Sequence, residues 1–146
     1  MIDNVEINNF RGIQHGKIDG LSRVNLFFGK NNCGKSSLLE AIFIVCGQSN
    51  PLLPASINAM RAYTNLTEDD IHCFFYQMDS SRKIQIAING SQERRLAINC
   101  FRETTSMGAD NVSTEMSYHY GLRMDTTPGM ASILRKFCMM SAGPTW

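Results

Sequence analysis

Gly29-Lys30-Asn31-Asn32-Cys33-Gly34-Lys35-Ser36 sets two glycines five positions apart and follows the second with a lysine and a hydroxyl. The spacing fits G-x-x-x-x-G-K-[ST], the phosphate-cradling P-loop or Walker A pattern. Each residue type has a physical task in it. Glycines let the backbone curl until consecutive N–H groups point inward and hold an anion. Lys35 has the reach for terminal phosphates, and the Ser36 hydroxyl is a Mg²⁺ ligand by type. Ser37 extends the loop into a helix whose positive N-terminal end points at the same phosphates. With glycine at roughly 7% of residues and lysine comparable, a chance match in a chain of this size is on the order of half a per cent.

Such a loop works only if a strand and a helix hold it. Upstream, Arg23-Val24-Asn25-Leu26-Phe27-Phe28 is more continuously apolar from Val24, which predicts a strand buried on both faces. Downstream, residues 37–46 are apolar nearly all round, which predicts a buried helix. Gly47 stands where a helix end favours a left-handed residue. Further upstream, Ile2, Val5 and Ile7 alternate with Asp3, Glu6 and Asn8, the pattern of a half-buried strand over residues 2–9. A bend at residues 10–13 and a short second strand at 14–18 follow, and Asp19-Gly20 is a turn signal.

Beyond the helix, Pro51 and Pro54 interrupt the chain, and a short helix is expected near residues 56–63. Thr67-Glu68-Asp69-Asp70 reads as a cap for about two helical turns through residue 76. Ser80-Ser81 reads as a turn. Residues 83–89 alternate around Ile84, Ile86 and Ile88, Asn89-Gly90 is a hairpin signal, and residues 95–102 return through Leu96, Ile98 and Cys100. The polar run 104–114 reads as a loop and residues 116–124 as a third antiparallel strand. Pro128-Gly129 is a break, and 130–140 fits helix or strand. Residues 1–50 thus form a β–P-loop–α unit, and 51–146 a helical insert with antiparallel strands.

Composition narrows the class. The 146 residues are 43% hydrophobic and 18% charged with net charge +1, a globular composition with no basic excess. Five cysteines, odd in number and without C-x-x-C spacing, fit a reducing, cytoplasmic setting. No apolar run approaches the ~18 residues of a membrane span, and the N-terminus has no secretory pattern. His15, His72 and His119 are scattered, and no His/Cys set has zinc spacing. Cys33 reads as a small loop residue rather than a reactive thiol, and His72-Cys73 as packing. Lys83, Arg94, Arg95 and Arg102 read as a solvated sheet face rather than a nucleic-acid stripe.

Three runs together, Ile7-Asn8-Asn9-Phe10-Arg11-Gly12-Ile13, Val24-Asn25-Leu26-Phe27-Phe28-Gly29 and Asn31-Asn32-Cys33-Gly34-Lys35-Ser36-Ser37-Leu38-Leu39-Glu40-Ala41-Ile42, resemble the N-terminal lobe of an ABC-type ATPase head. The nearest groups are RecF, structural-maintenance-of-chromosomes and overcoming-lysogenization-defect ATPases. The resemblance covers residues 1–46 well and 68–102 loosely. It implies an α/β fold with a mixed sheet around the P-loop helix and an antiparallel meander. It implies Mg-ATP held by residues 29–37 between two protomers, with Ser36 on the metal. It also implies DNA or an effector nuclease as candidate partners in repair or antiviral defence. Arg11 matches the family's Phe-Arg turn, which lies near nucleotide; its other reading is a surface arginine after a strand.

Hydrolysis needs a carboxylate for Mg²⁺ and another to activate water. The usual source is four apolar residues, then Asp and Glu. Phe74-Phe75-Tyr76-Gln77-Met78-Asp79 and Gly121-Leu122-Arg123-Met124-Asp125 both fail that pattern. No Leu-Ser-Gly-Gly-Gln signature is present, and Gln77 and Gln85 are γ-phosphate sensors by letter only. No catalytic residue is identified. In this family these parts lie in a C-terminal lobe, so the chain is expected to be one partial domain, 1–146, inactive alone and completed by that lobe or by self-association. Alternatives are a GTPase, for which Asn-Lys-x-Asp is missing, a small kinase, for which a basic lid is missing, and a non-catalytic nucleotide-binding or interaction module.

Overall fold

A computed structural model describes residues 1–50, 52–61, 68–107, 115–127 and 135–138. β1 (Ile2–Phe10) and β2 (Ile13–Asp19) form a hairpin, turning at Arg11 and Gly12, with Val5 opposite Ile18. β3 (Ile84–Gly90), β4 (Arg94–Met107), β5 (Glu115–Thr127) and β6 (Arg135–Cys138) form a meander. The two join through β1 and β3, with Ile7 opposite Ile86, to give one sheet of order β2-β1-β3-β4-β5-β6. Every pairing is antiparallel, so the described residues form no mixed sheet.

Period-two alternation decides which face is covered. Val5, Ile7, Ile84, Ile86, Ile88, Leu96, Ile98, Leu122 and Met124 are buried on one face. Glu6, Asn8, Gln85, Arg95 and Asp125 line a shallow depression on the other. On the apolar face lies α1 (Lys35–Cys46), burying Leu38, Ala41, Ile44 and Val45. α2 (Leu53–Met60) adds Ile57, and the short α3 (Glu68–His72) with the turn after it adds Ile71, Phe74 and Phe75. Each fully buried Ile or Phe contributes about 1.5–3 kcal/mol.

Several expectations are corrected. Pro54 sits in the first turn of α2, where a missing N–H is harmless, so the helix begins at Leu53 instead of being broken there. Gly47 is not left-handed (φ −96°); it is glycine because a Cβ would collide with Cδ1 of Leu53. α3 is one turn long, and the turn that follows at Tyr76–Met78 is kinked within itself at Gln77 (φ 54°). Gly90 ends β3, and the connection runs through 91–93 rather than Asn89-Gly90. The polar residues 104–107 are strand, because β5 pairs with them as far as Met107 opposite Glu115. Residues 135–138 are strand. Pro51, Thr67, 108–114, Pro128-Gly129 and the chain's end lie outside the described residues.

The largest correction concerns Val24 to Phe28. This stretch is not a strand, and Val24, Leu26 and Phe28 are 80%, 74% and 85% exposed. An apolar run becomes a buried strand only where a neighbour offers hydrogen bonds and a covering face; no described residue does. The outer face of α1 is bare for the same reason, with Leu39 and Phe43 about half exposed. Phe28→Ser is therefore expected to change the chain's stability by less than about 0.5 kcal/mol in urea titration.

Candidate functional site

The loop from Gly29 to Gly34 joins the exposed segment to α1. Its curl rests on two left-handed residues, Asn32 (φ 63°) and Gly34 (φ 89°). Asparagine tolerates that region and glycine enters it freely. Gly34 is also the N-cap of α1, its carbonyl accepting from Leu38 N at 2.9 Å. Lys35 folds back into the loop. Its Nζ donates to the carbonyls of Gly29 (2.9 Å) and Lys30 (2.7 Å) and lies 3.5 Å from Cys33 Sγ.

A Cβ on Gly34 would meet Ile13 Cγ1 at 3.6 Å, an ordinary contact. Any penalty there is conformational. Gly34→Ala is expected to lose about 1–2 kcal/mol in urea denaturation and Gly34→Asn less, because asparagine visits the left-handed region more readily. Equal losses in the two variants would refute this account.

Beside the loop opens a cleft of about 590 Å³, within the range of ligand sites, about 300–1,000 Å³. One wall is the loop and helix start: Asn31, Asn32, Gly34, Lys35, Ser36 and Ser37. The opposite wall is Arg11, Arg61, Cys73, Phe75, Gln77 and Met78. Of the ten residues expected to hold nucleotide, seven line this cleft. Gly29 and Lys30 act through the carbonyls that hold Lys35. Cys33 lines a second cavity of about 410 Å³, with Ile13 and Phe27.

Arg11 is buried, which removes the surface reading. Its Nε pairs with Glu40 Oε2, its Nη2 donates to Asn58 Oδ1 at 3.0 Å, and its guanidinium lies 5.6 Å and 4.8 Å from the Phe10 and Phe74 ring centres. Burial pulls its pKa below the ordinary arginine value, and Glu40 opposes that pull. Asn58, wholly buried at the heart of α2, passes the network on to the Asp70 carbonyl at 2.8 Å. Glu40 also holds Arg61, its Oε1 lying 2.6 Å from Arg61 Nε. One carboxylate thus anchors both arginines of the far wall.

Arg61, Phe75 and Met78 escaped the sequence reading as site residues, and Gln77 entered it only by letter as a γ-phosphate sensor, since none belongs to a recognisable pattern. One backbone signal marks them afterwards. Among the described residues five non-glycine residues have left-handed φ, namely Asn9, Arg11, Asn32, Gln77 and Met78, and four of these line the cleft. Each such residue costs roughly 1–3 kcal/mol and persists where surrounding structure enforces it.

The carboxylates weighed for hydrolysis lie elsewhere. Asp125 is on the polar sheet face near Asn99. Asp79 accepts from the Ser81 hydroxyl and pairs with Arg82 at 2.9 Å, and the Ser81 bond chiefly holds its pKa below the usual value. Among the described residues no Asp or Glu lines the cleft, and no cluster of three His, Cys, Asp or Glu could hold a metal. No described helix is long and apolar enough to cross a membrane.

Residues 1–122 match the AAA ATPase domain family. Among curated proteins, an ATP/GTP phosphatase of Helicobacter pylori is 37% identical over 91 residues, 59% of this chain and 24% of its own length. An uncharacterized protein of Methanocaldococcus jannaschii is 26% identical over 119 residues, 80% of this chain and 53% of its own. The DNA replication and repair protein RecF of Shewanella frigidimarina is 29% identical over 104 residues, 66% of this chain and 29% of its own. The chain spans between a quarter and about half the length of these relatives.

Proposed function

The chain belongs to the AAA ATPase domain family, and from that premise we propose that it is the ATP-binding N-terminal lobe of an ABC-type ATPase head. The observation carrying this reading is the loop at 29–34. It presents a left-handed Asn32 and Gly34, Lys35 at its centre and the start of α1 to one cleft. Such a loop has the donors and the charge that a triphosphate needs. Ser36, which lines the same cleft, is the side chain of the right type for Mg²⁺, and the metal would neutralise phosphate charge there. Arg11, held in place by Glu40 and Asn58, gives the far wall a fixed positive charge.

Binding and cutting are separate in this reading. The described residues bring no carboxylate to the cleft, so the lobe positions ATP while hydrolysis awaits groups from a C-terminal lobe and a dimer partner. The exposed row Val24, Leu26 and Phe28, with Leu39 and Phe43 of α1, supports a further layer covering this side. The RecF relatives favour a role in DNA transactions over other uses of the head. A second reading, a nucleotide-binding module that does not hydrolyse, draws on the same lack of a carboxylate among the described lining residues.

The test is binding of Mg-ATP and Mg-GTP by calorimetry, alongside phosphate release, for the chain and Lys35→Ala. Binding without turnover, lost in the variant, supports the proposal. Robust turnover by the chain alone, or nucleotide binding indifferent to Lys35, overturns it.

A further inference from the structure

The cleft has two walls of different chemistry, and the phosphate wall explains only one of them. On the other, Gln77 and Met78 are consecutive, both non-glycine and both left-handed (φ 54° and 60°). Neither has the short side chain with which asparagine eases that conformation. The surroundings enforce it. Phe75 bridges to Phe10 of β1, and Arg11 N donates to the Phe74 carbonyl at 2.8 Å. Beyond the turn, Met78 N donates to Phe75 O, Asp79 N to Tyr76 O and Ser80 N to Met78 O, at 3.0–3.1 Å. A strained turn is thus bolted to the end of β1 and to the hairpin turn that carries Arg11, and it presents Gln77 and Met78, both exposed, to the cleft. Among the described residues the Gln77 carboxamide has no hydrogen-bond partner.

We infer that residues 75–78 form the base subsite of this cleft and that the Gln77 carboxamide selects adenine over guanine. The inference rests on the phosphate-cradle reading of residues 29–37. A carboxamide offers a donor beside an acceptor, which matches the amino donor and ring-nitrogen acceptor of adenine. Guanine shows two adjacent acceptors at its O6/N7 edge and calls for Arg or Lys instead. The cations of the cleft are engaged otherwise: Arg11 and Arg61 by Glu40, Lys35 by the loop. On this far wall, among the described residues, Gln77 is therefore the carboxamide left to read a base edge. The unbranched thioether of Met78 is a soft, polarizable surface for the ring.

The experiment measures Mg-ATP, Mg-GTP and Mg-tripolyphosphate binding to the wild-type chain, Gln77→Ala, Gln77→Gly and Lys35→Ala. Gln77→Gly removes the carboxamide while easing the left-handed backbone, so loss of binding there cannot be assigned to a collapsed turn. Both Gln77 variants are expected to bind ATP about tenfold more weakly, with GTP and tripolyphosphate unchanged within about twofold. Unchanged ATP binding, or an equal loss for tripolyphosphate, overturns the base subsite while leaving the cradle standing. ATP binding insensitive to Lys35 but sensitive to Gln77 overturns the cradle alone. No binding of any of the three overturns both.

Discussion

Arg11→Leu should lower the stability of the chain by about 2–4 kcal/mol. The guanidinium is buried beside two phenyl rings and engages two partners that reach it from different helices, pairing with Glu40 of α1 and donating to Asn58 of α2. Removing it leaves a carboxylate and an amide oxygen short of a partner in poorly solvated surroundings, and that desolvation dominates the loss. The effect falls below the largest known for buried pairs because Glu40 keeps Arg61 and its side chain is 17% exposed. The double variant Arg11→Leu/Glu40→Leu should then lose less than the sum of the singles, since no charge is stranded. Urea titration of the four species measures this. Additive losses, or a single-variant loss under about 1 kcal/mol, would show that the pair behaves as a surface ion pair.

Lys35→Ala should weaken Mg-ATP binding about a hundredfold while leaving stability within about 0.5 kcal/mol of wild type. The two halves have different causes. Lys35 bonds only to carbonyls of its own loop and to Cys33 Sγ, and none of these belongs to the buried core. Its loss costs the fold little, since exposed groups recover water as partner. Towards a triphosphate, the ammonium belongs to the one lysine among the described residues lining the cleft, beside loop residues and helix-start N–H groups. A charge-assisted bond of that kind is about twice as strong as a neutral one, and about 2.7 kcal/mol corresponds to a hundredfold in affinity. Calorimetric binding together with a urea midpoint checks both halves. A variant that binds normally contradicts the role of Lys35, and one that unfolds contradicts its placement.

The sequence by itself determined whatever depends on neighbours in the chain. The loop and the helix after it were legible because glycine, lysine and hydroxyl spacing is a local constraint. The hairpin of β1 and β2, β3, the beginning of β4 and the middle of β5 were legible because alternation with period two writes one buried face directly into the residues. Asp79 and Asp125, which lack the flanking pattern of a hydrolytic carboxylate, both lie off the cleft.

Only the tertiary structure decided what depends on distant partners. Val24 to Phe28 has the composition of a central strand, yet a strand is made by its neighbours, and no described residue supplies them. Polar residues 104–107 have the composition of a loop, yet β5 extends them as strand. Arg11 read equally as surface or site; burial against Glu40, Asn58 and Phe74, residues far off in the chain, settled that it is interior. The far wall of the cleft, Arg61, Gln77 and Met78, is brought opposite the loop by the packing of α2 and by the bridge from Phe75 to Phe10. A phosphate cradle is built from consecutive backbone groups and can be spelled in eight residues. The wall that faces it is assembled across the fold, and no local pattern spells it.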